Sequence, residues 1–338
     1  MRRVDESTTG DFMKNLLLRS SALAGGLFGL ALHGVTWSEP YPGRPIRLVV
    51  QGLASSAPDI IMRPIAQRVS QSVGQPVIVD NRPGAGGVVA AQIAVSAPPD
   101  GYTILVAASG TISIVPFLMK KQPYDPLEDL APVTLVAIAP LIVTAHPSLP
   151  VTSVKDLIAF AKSSPKKILF GTPGVGSVQH LTMEMFNHAA GVSLGHIPYK
   201  GGAAAVIDTV GGQIQLVITA IPAVLPQIKA SRLRALGVTS AKRSSAVPDV
   251  PTIAESGLAG FEAATWYGMY APRNTPTKIV EKLYTEMRKA TEAPDVQSAA
   301  AQEGVELEVK GSRALAEFQR IDMAKWQRII RESNIVLE

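Results

Sequence analysis

The sequence predicts an α/β protein of two domains with parallel sheets, on three observations. After Tyr41, short β-prone runs alternate with helical patterns in two successive series. At 338 residues the chain is long enough for two cores. Two small-residue turns, Phe170-Gly-Thr-Pro-Gly-Val-Gly-Ser177-Val-Gln-His180 and His196-Ile-Pro-Tyr199-Lys200-Gly201-Gly202-Ala203, each run out of a β-prone segment into a helical pattern.

Element by element, Ile46–Val50 is a short buried-strand run, followed by helical periodicity over Ile60–Val73. Val77–Val79 is the next strand, and Asn81–Gly87 punctuates before a helix of small residues over Val88–Ala97. Tyr102–Ala107 is a third strand. The second series opens near Leu141–Thr144. It continues with a helix over Val154–Lys162 capped by Thr152 or Ser153, strand Ile168–Phe170, and helices Val178–Ala190 and Ala203–Gly211. Strand Leu216–Ile218, helix Ala223–Ala230 and strand Leu233–Val238 complete it. Past Thr265 come strand Trp266–Ala271, a proline-bounded turn, helix Thr277–Thr291 and a last amphipathic helix over Ser312–Ser333. Reading Leu141–Val143 and Ala264–Met269 as crossings makes the first domain discontinuous. It then comprises residues 41–143 and 266–338, with 144–265 inserted. Trp266, at a crossing, is expected to sense domain movement, and Trp326 to sit still within its own domain.

The N-terminus reads as an export signal covering residues 1–38. Lys14 and Arg19 precede the apolar run Ala22–Leu32, and Thr36 and Ser38 stand three and one before a cut at Glu39. That run is shorter than the roughly 20 residues a membrane-spanning helix needs. Met13 is an alternative start. The chain has no cysteine, which leaves no lipid-anchor site at the cut and fits an exported protein without disulfides. Charged residues make up 17% of the chain, with no arginine-rich or aromatic-interleaved basic stripe, so nucleic acid is not an expected partner. The net charge of +5 favours an anionic ligand only weakly.

Both small-residue turns place unpaired backbone N–H groups, with the positive end of a helix dipole, where a small anion can reach them. The expected contacts are Thr172, Gly174, Val175, Gly176 and Ser177 in one turn and Lys200, Gly201, Gly202 and Ala203 in the other. Helix capping by Ser177 is the structural alternative. No Gly-Lys-Ser/Thr follows the glycines, so this is not a nucleotide loop. His180 lies three residues after Ser177, a poor arrangement for a nucleophile and base, and is read as packed or ligand-adjacent. His180 and Glu184 lack the His-Glu-x-x-His pattern, so neither metal nor cofactor is expected. Ser109 and Thr111 follow the third strand, at the sheet edge where α/β folds place ligands.

These residues, in order and spacing, resemble the substrate-binding proteins of the tripartite tricarboxylate transporters, the Bug-type periplasmic receptors. The resemblance runs from about Tyr41 to the C-terminus. It rests on Val79-Asp-Asn-Arg-Pro-Gly-Ala-Gly-Gly87, Pro123-Tyr-Asp-Pro126, the two turns above, Leu233–Ser240, Val247-Pro-Asp-Val-Pro-Thr252 with Glu255 and Gly257, and Trp266 with Ala271-Pro272. It implies a type II periplasmic-binding-protein fold, two α/β domains closing on a ligand. It further implies a periplasmic, monomeric, non-enzymatic receptor that hands a small carboxylate to two integral membrane subunits. A membrane sensor is the alternative partner. An enzyme on the same scaffold would need a clustered acid–base set, which the sequence does not offer.

The resemblance also places Gly52, Leu53, Ala54, Ser55, Ser56 and Asp59 on the opposite wall. There the family pattern Pro-aromatic-Pro-x-Gly-Gly-x-x-Asp is replaced by Gln51-Gly-Leu-Ala-Ser-Ser-Ala-Pro-Asp59. The aspartate stays, the aromatic wall becomes Gly52, and both glycines become serine. Asp59 is expected to fix its loop through backbone donors, with capping or an amino group of the ligand as alternatives, because a bare carboxylate would repel an anion. Ile112–Pro116 and Thr219 also depart from the family pattern. Together the departures imply a wider, more apolar or differently bonded pocket.

Overall fold

A computed structural model describes residues 41–54, 56–119, 123–164, 168–333 and 335. The sequence calls for the export signal and for Ser55 lie outside the described residues. Strand β1 (Ile46–Val50) has Ile46, Leu48, Val49 and Val50 all essentially inaccessible, as an apolar run covered on both faces must be. It pairs in parallel with β2 (Val77–Asn81) and β3 (Thr103–Ala108). Helix α1 (Ala57–Val73) crosses between the first two. It has proline in its first turn and stops at Gly74 in the left-handed conformation. Helix α2 (Val88–Val95) crosses back. A single π-helical turn (Gly110–Ile114) runs into the short helix α3 (Val115–Leu118).

Strand β4 (Leu130–Ala145) is the axis of the molecule. Its first part pairs antiparallel with β9 (Ala264–Pro272) and β10 (Glu306–Gly311), and its last five residues with β7 (Leu216–Ala220) and β8 (Arg234–Val238). The changeover is sharp: Pro140 pairs with Ala264, and Leu141 with Ala220. Buried Thr239 ties the two chain crossings there. Its hydroxyl donates to the Ala263 carbonyl at 2.6 Å and accepts from the Leu141 amide at 3.1 Å.

On the far side of the changeover, β5 (Leu169–Thr172) pairs in parallel with β6 (Gly195–Pro198) and with β7. Helix α4 (Val154–Ser163) precedes β5, with Ser153 as its cap accepting from the Asp156 amide at 3.1 Å. Helices α5 (Val178–Ala190), α6 (Gly202–Val210) and α7 (Ile221–Lys229) follow β5, β6 and β7. Strand order is therefore β2-β1-β3-β9-β4-β10 on one side and β6-β5-β7-β4-β8 on the other, the same plan twice but for the added β10. The expected parallel pairing holds within each triplet, and each sheet as a whole is mixed. Each parallel triplet meets an antiparallel strand, because β4 and β9 traverse from one side to the other.

The C-terminal part adds α8 (Thr277–Thr291), α9 (Pro294–Gln302) and α10 (Ser312–Glu332). Helix α10 serves two cores. Leu315 and Phe318 pack with Trp266 and Tyr270 of the first side. Trp326, Ile329 and Ile330 join a cluster with Leu181, Met185 and Phe186 of α5. Trp326 thus has neighbours from the second side rather than only from its own segment, because a 21-residue helix outreaches one core. Trp266 is clamped: its indole N–H donates to Asp322 at 2.8 Å, and Asp322 in turn holds Lys325 at 2.8 Å.

Candidate functional site

The loops that follow the parallel strands gather at their carboxyl ends on both sides of the changeover, where open α/β sheets hold ligands. On the first side, the loop after β1 carries Gly52, Leu53, Ala54 and Ser56. The Ser56 hydroxyl donates to the Leu53 carbonyl at 2.7 Å and does not cap α1. Asp59 is buried and pairs with Arg63, whose Nε and Nη2 lie 2.9 and 2.8 Å from its two oxygens. Arg63 also reaches the Asn81 side chain at 3.1 Å. This fork neutralises the carboxylate, so Asp59 adds no net repulsion towards an anion.

The loop after β3 brings Ser109 and Thr111 to the same end. Thr111 donates to the Gly86 carbonyl at 2.8 Å and lies against the Gln51 side-chain amide, so three loops meet at one hydroxyl. A Cβ on Gly87 would sit 2.0 Å from that hydroxyl oxygen, which is why only glycine fits there. Tyr124 donates to the Thr111 carbonyl at 2.6 Å. Thr111 is therefore a fastener of the loops. The Ser109 and Ser113 hydroxyls are buried with no partner among the described residues. Gln51 carried no signal of its own in the sequence; its role follows from the 60-residue separation to Thr111 that only the fold closes.

On the second side, Ser177 caps α5: its oxygen accepts from the His180 amide at 3.2 Å and its hydroxyl donates to the Gly174 carbonyl at 2.8 Å. Gly174 and Gly176 have φ of 148° and 75°, a turn that β-branched residues resist. The Gly174 amide donates to the Thr172 hydroxyl at 3.3 Å, and the Gly176 amide to His180 Nδ1 at 3.1 Å. The turn thus consumes its own glycine amides. The amides of Val178 and Gln179, at the start of α5, find no acceptor among the described residues. Neither do those of Gly202 and Ala203 at the start of α6, where Gly201 supplies no side-chain cap. A Cβ on Gly202 would lie 3.6 Å from the Thr219 hydroxyl and 3.7 Å from Pro173, so the two turns adjoin. The Lys200 side chain is exposed. The first and second sides face each other here: a Cβ on Gly110 would come within 4.0 Å of Val178.

Beneath the turn, His180 and His196 stack with ring centroids 3.7 Å apart and planes inclined by 15°. Phe170 stacks on His196 at 5.1 Å. His196 Nε2 lies 2.6 Å from the Thr172 hydroxyl. Burial, reinforced by the neighbouring His196, pushes His180 down to about 3, and burial pushes His196 down to about 4, so both rings are neutral at neutral pH. With Nδ1 accepting from Gly176, the His180 proton sits on Nε2, 3.7 Å from Glu184, whose carboxyl is raised by burial. From the sequence alone His196 is only the start of a turn; its stacking partner comes from another element.

A cavity of about 520 Å³ between α1 and α8 is unrelated to these loops. Of its lining charges, Arg68 pairs with Asp295, and Glu286 with Lys282 and Lys289.

The chain matches the model of the tripartite tricarboxylate transporter family receptor over residues 61–335. Protein BugT of Bordetella pertussis (strain Tohama I) is 35% identical over 302 residues, covering 89% of this chain and 93% of its own length. The protein of the tcbD-tcbE intergenic region in Pseudomonas sp. (strain P51) is 37% identical over 313 residues, with 90% and 93% covered. Among solved structures, an R. palustris protein with adipate has a TM-score of 0.75 at 34% identity, covering 88% of this chain and 99% of that one. MatC from Rhodopseudomonas palustris, with bound malate, has a TM-score of 0.72 at 28% identity, covering 86% and 100%. The periplasmic binding protein BugD has a TM-score of 0.72 at 32% identity, covering 88% and 100%. With that sheet plan, those paired turns and these matches, this chain belongs to the tripartite tricarboxylate transporter receptor family and has its two-domain periplasmic-binding-protein fold.

Proposed function

We propose that this protein is a periplasmic receptor, exported by its N-terminal segment, that captures a small carboxylate between its two lobes. The observation that carries the reading is the set of amides without an acceptor among the described residues at Val178, Gln179, Gly202 and Ala203, with Val178 lying against the loop that holds the unpartnered Ser109 hydroxyl. Amide and hydroxyl donors suit a carboxylate and leave it without a covalent fate, which favours a binding protein over an enzyme. The lobes are residues 41–143 with 266–338, and 144–265, with the end of α10 packed on the second, moving about the Pro140–Leu141 changeover and the Ala263–Ala264 return. Closure follows because full contact with the ligand exists only when both lobes meet it. The liganded monomer then docks on the integral membrane subunits of a tripartite tricarboxylate-type transporter.

Leu53 and Val175, on the loops after β1 and β5, are 68% and 44% exposed. Apolar side chains on both loops, with Gly52 in place of an aromatic residue, favour a carboxylate with an apolar body over a hydroxy acid. A melting screen tests this. At a hundredfold excess over Kd the ligand adds about 2.7 kcal/mol, which raises Tm by several degrees. Adipate and aromatic carboxylates are expected to outperform malate. No shift with any mono-, di- or tricarboxylate would remove the receptor reading.

A further inference from the structure

We infer that His180 is the positioning residue of the carboxylate turn: its neutral ring accepts the Gly176 amide and so aims the free helix-start amides at the cleft. The inference rests on the carboxylate reading of this site. The Gly176 amide is one of the donors a ligand would otherwise meet, yet it is turned inward to Nδ1 at 3.1 Å. The Ser177 oxygen, from the same short loop, takes the His180 amide at 3.2 Å. His180 thereby grips both sides of the turn, through its ring and its backbone, and leaves the Val178 and Gln179 amides as its donors without an acceptor among the described residues.

The ring is itself held from three sides. His196 of β6 stacks on it, Phe170 of β5 lies at 6.5 Å, and Glu184 of α5 is the carboxyl nearest Nε2. His196 is in turn anchored to Thr172, the residue at the other end of the turn. The two imidazoles therefore brace the turn at both ends. No group of three or more His, Asp or Glu side chains placed to hold a metal ion is found among the described residues.

Two substitutions separate the grip from the packing. His180→Phe keeps a stacking ring and removes the acceptor. His180→Asn removes the ring and keeps an oxygen near the place of Nδ1. Amide hydrogen exchange on the full, ligand-free chain reads the turn directly, and adipate titration reads its use. In the Phe variant, exchange at Gly176 is expected to rise, and adipate affinity to fall, by about tenfold, as for one lost hydrogen bond. The Asn variant is expected to restore both. Unchanged exchange in a folded Phe variant, or equal exchange in the two variants, would overturn the inference. If the original chain does not bind adipate, the carboxylate reading suffers while the exchange results still decide the role of His180.

Discussion

Gly176→Val is expected to abolish carboxylate binding, by more than about a hundredfold, in a protein that still folds. Gly176 has φ of 75°, a region that valine avoids. Forcing valine there costs about 1–3 kcal/mol, against a typical stability of about 5–15 kcal/mol, so the lobe survives. The turn would not survive as built. It would relax away from the left-handed conformation, release the Gly176 amide from His180 and carry the Val178 and Gln179 donors out of line. Calorimetric titration beside a circular-dichroism melt checks this. Ordinary affinity in a folded Gly176→Val protein would place the ligand elsewhere.

Trp326→Ala is expected to destabilise the protein by about 3–5 kcal/mol, the usual cost of emptying a large aromatic site in a core. The indole is fully buried in the cluster that contains Leu181, Met185 and Phe186 together with Ile114 and Leu118. Its removal opens a cavity where α10 joins segments from both sides of the β4 changeover. Urea unfolding reads the loss as a lower midpoint. A midpoint unchanged from the original chain would mean that the end of α10 contributes nothing to that core. The indole N–H has no acceptor among the described residues, so its removal costs no hydrogen bond and the loss is one of packing.

Much of the fold is legible because its parallel strands are short apolar runs bounded by glycine and proline. The bounds of β1, α5 and α8 coincide with the expected ones. The first part of β4 was not legible, since Pro132 and Pro140 argue against a strand from sequence alone. In the structure the ladder shifts register next to Pro132, and Pro140 stands at the changeover of partners, where a missing N–H is tolerated. Strand β10 was hidden for another reason: Glu306-Leu-Glu-Val-Lys-Gly311 alternates, but only Leu307 and Val309 are apolar, too few to set a charged edge strand off from a loop. Of the site, the two turns could be read from their small residues and the helical patterns behind them. The use of the Gly176 amide and the His180–His196 stack could not, because each depends on side-chain direction; the Asp59–Arg63 pair, at i,i+4 within α1, was open to a spacing argument.

The central claim is that a carboxylate is held by helix-start amides of one lobe opposite the loop after β3 of the other. Backbone amide NMR during titration with the carboxylate of largest melting shift tests it most directly. The account predicts downfield movement of the Val178, Gln179, Gly202 and Ala203 amides, saturating together with shifts at Ser109–Thr111. Saturable binding that leaves those amides still and moves residues elsewhere would contradict it.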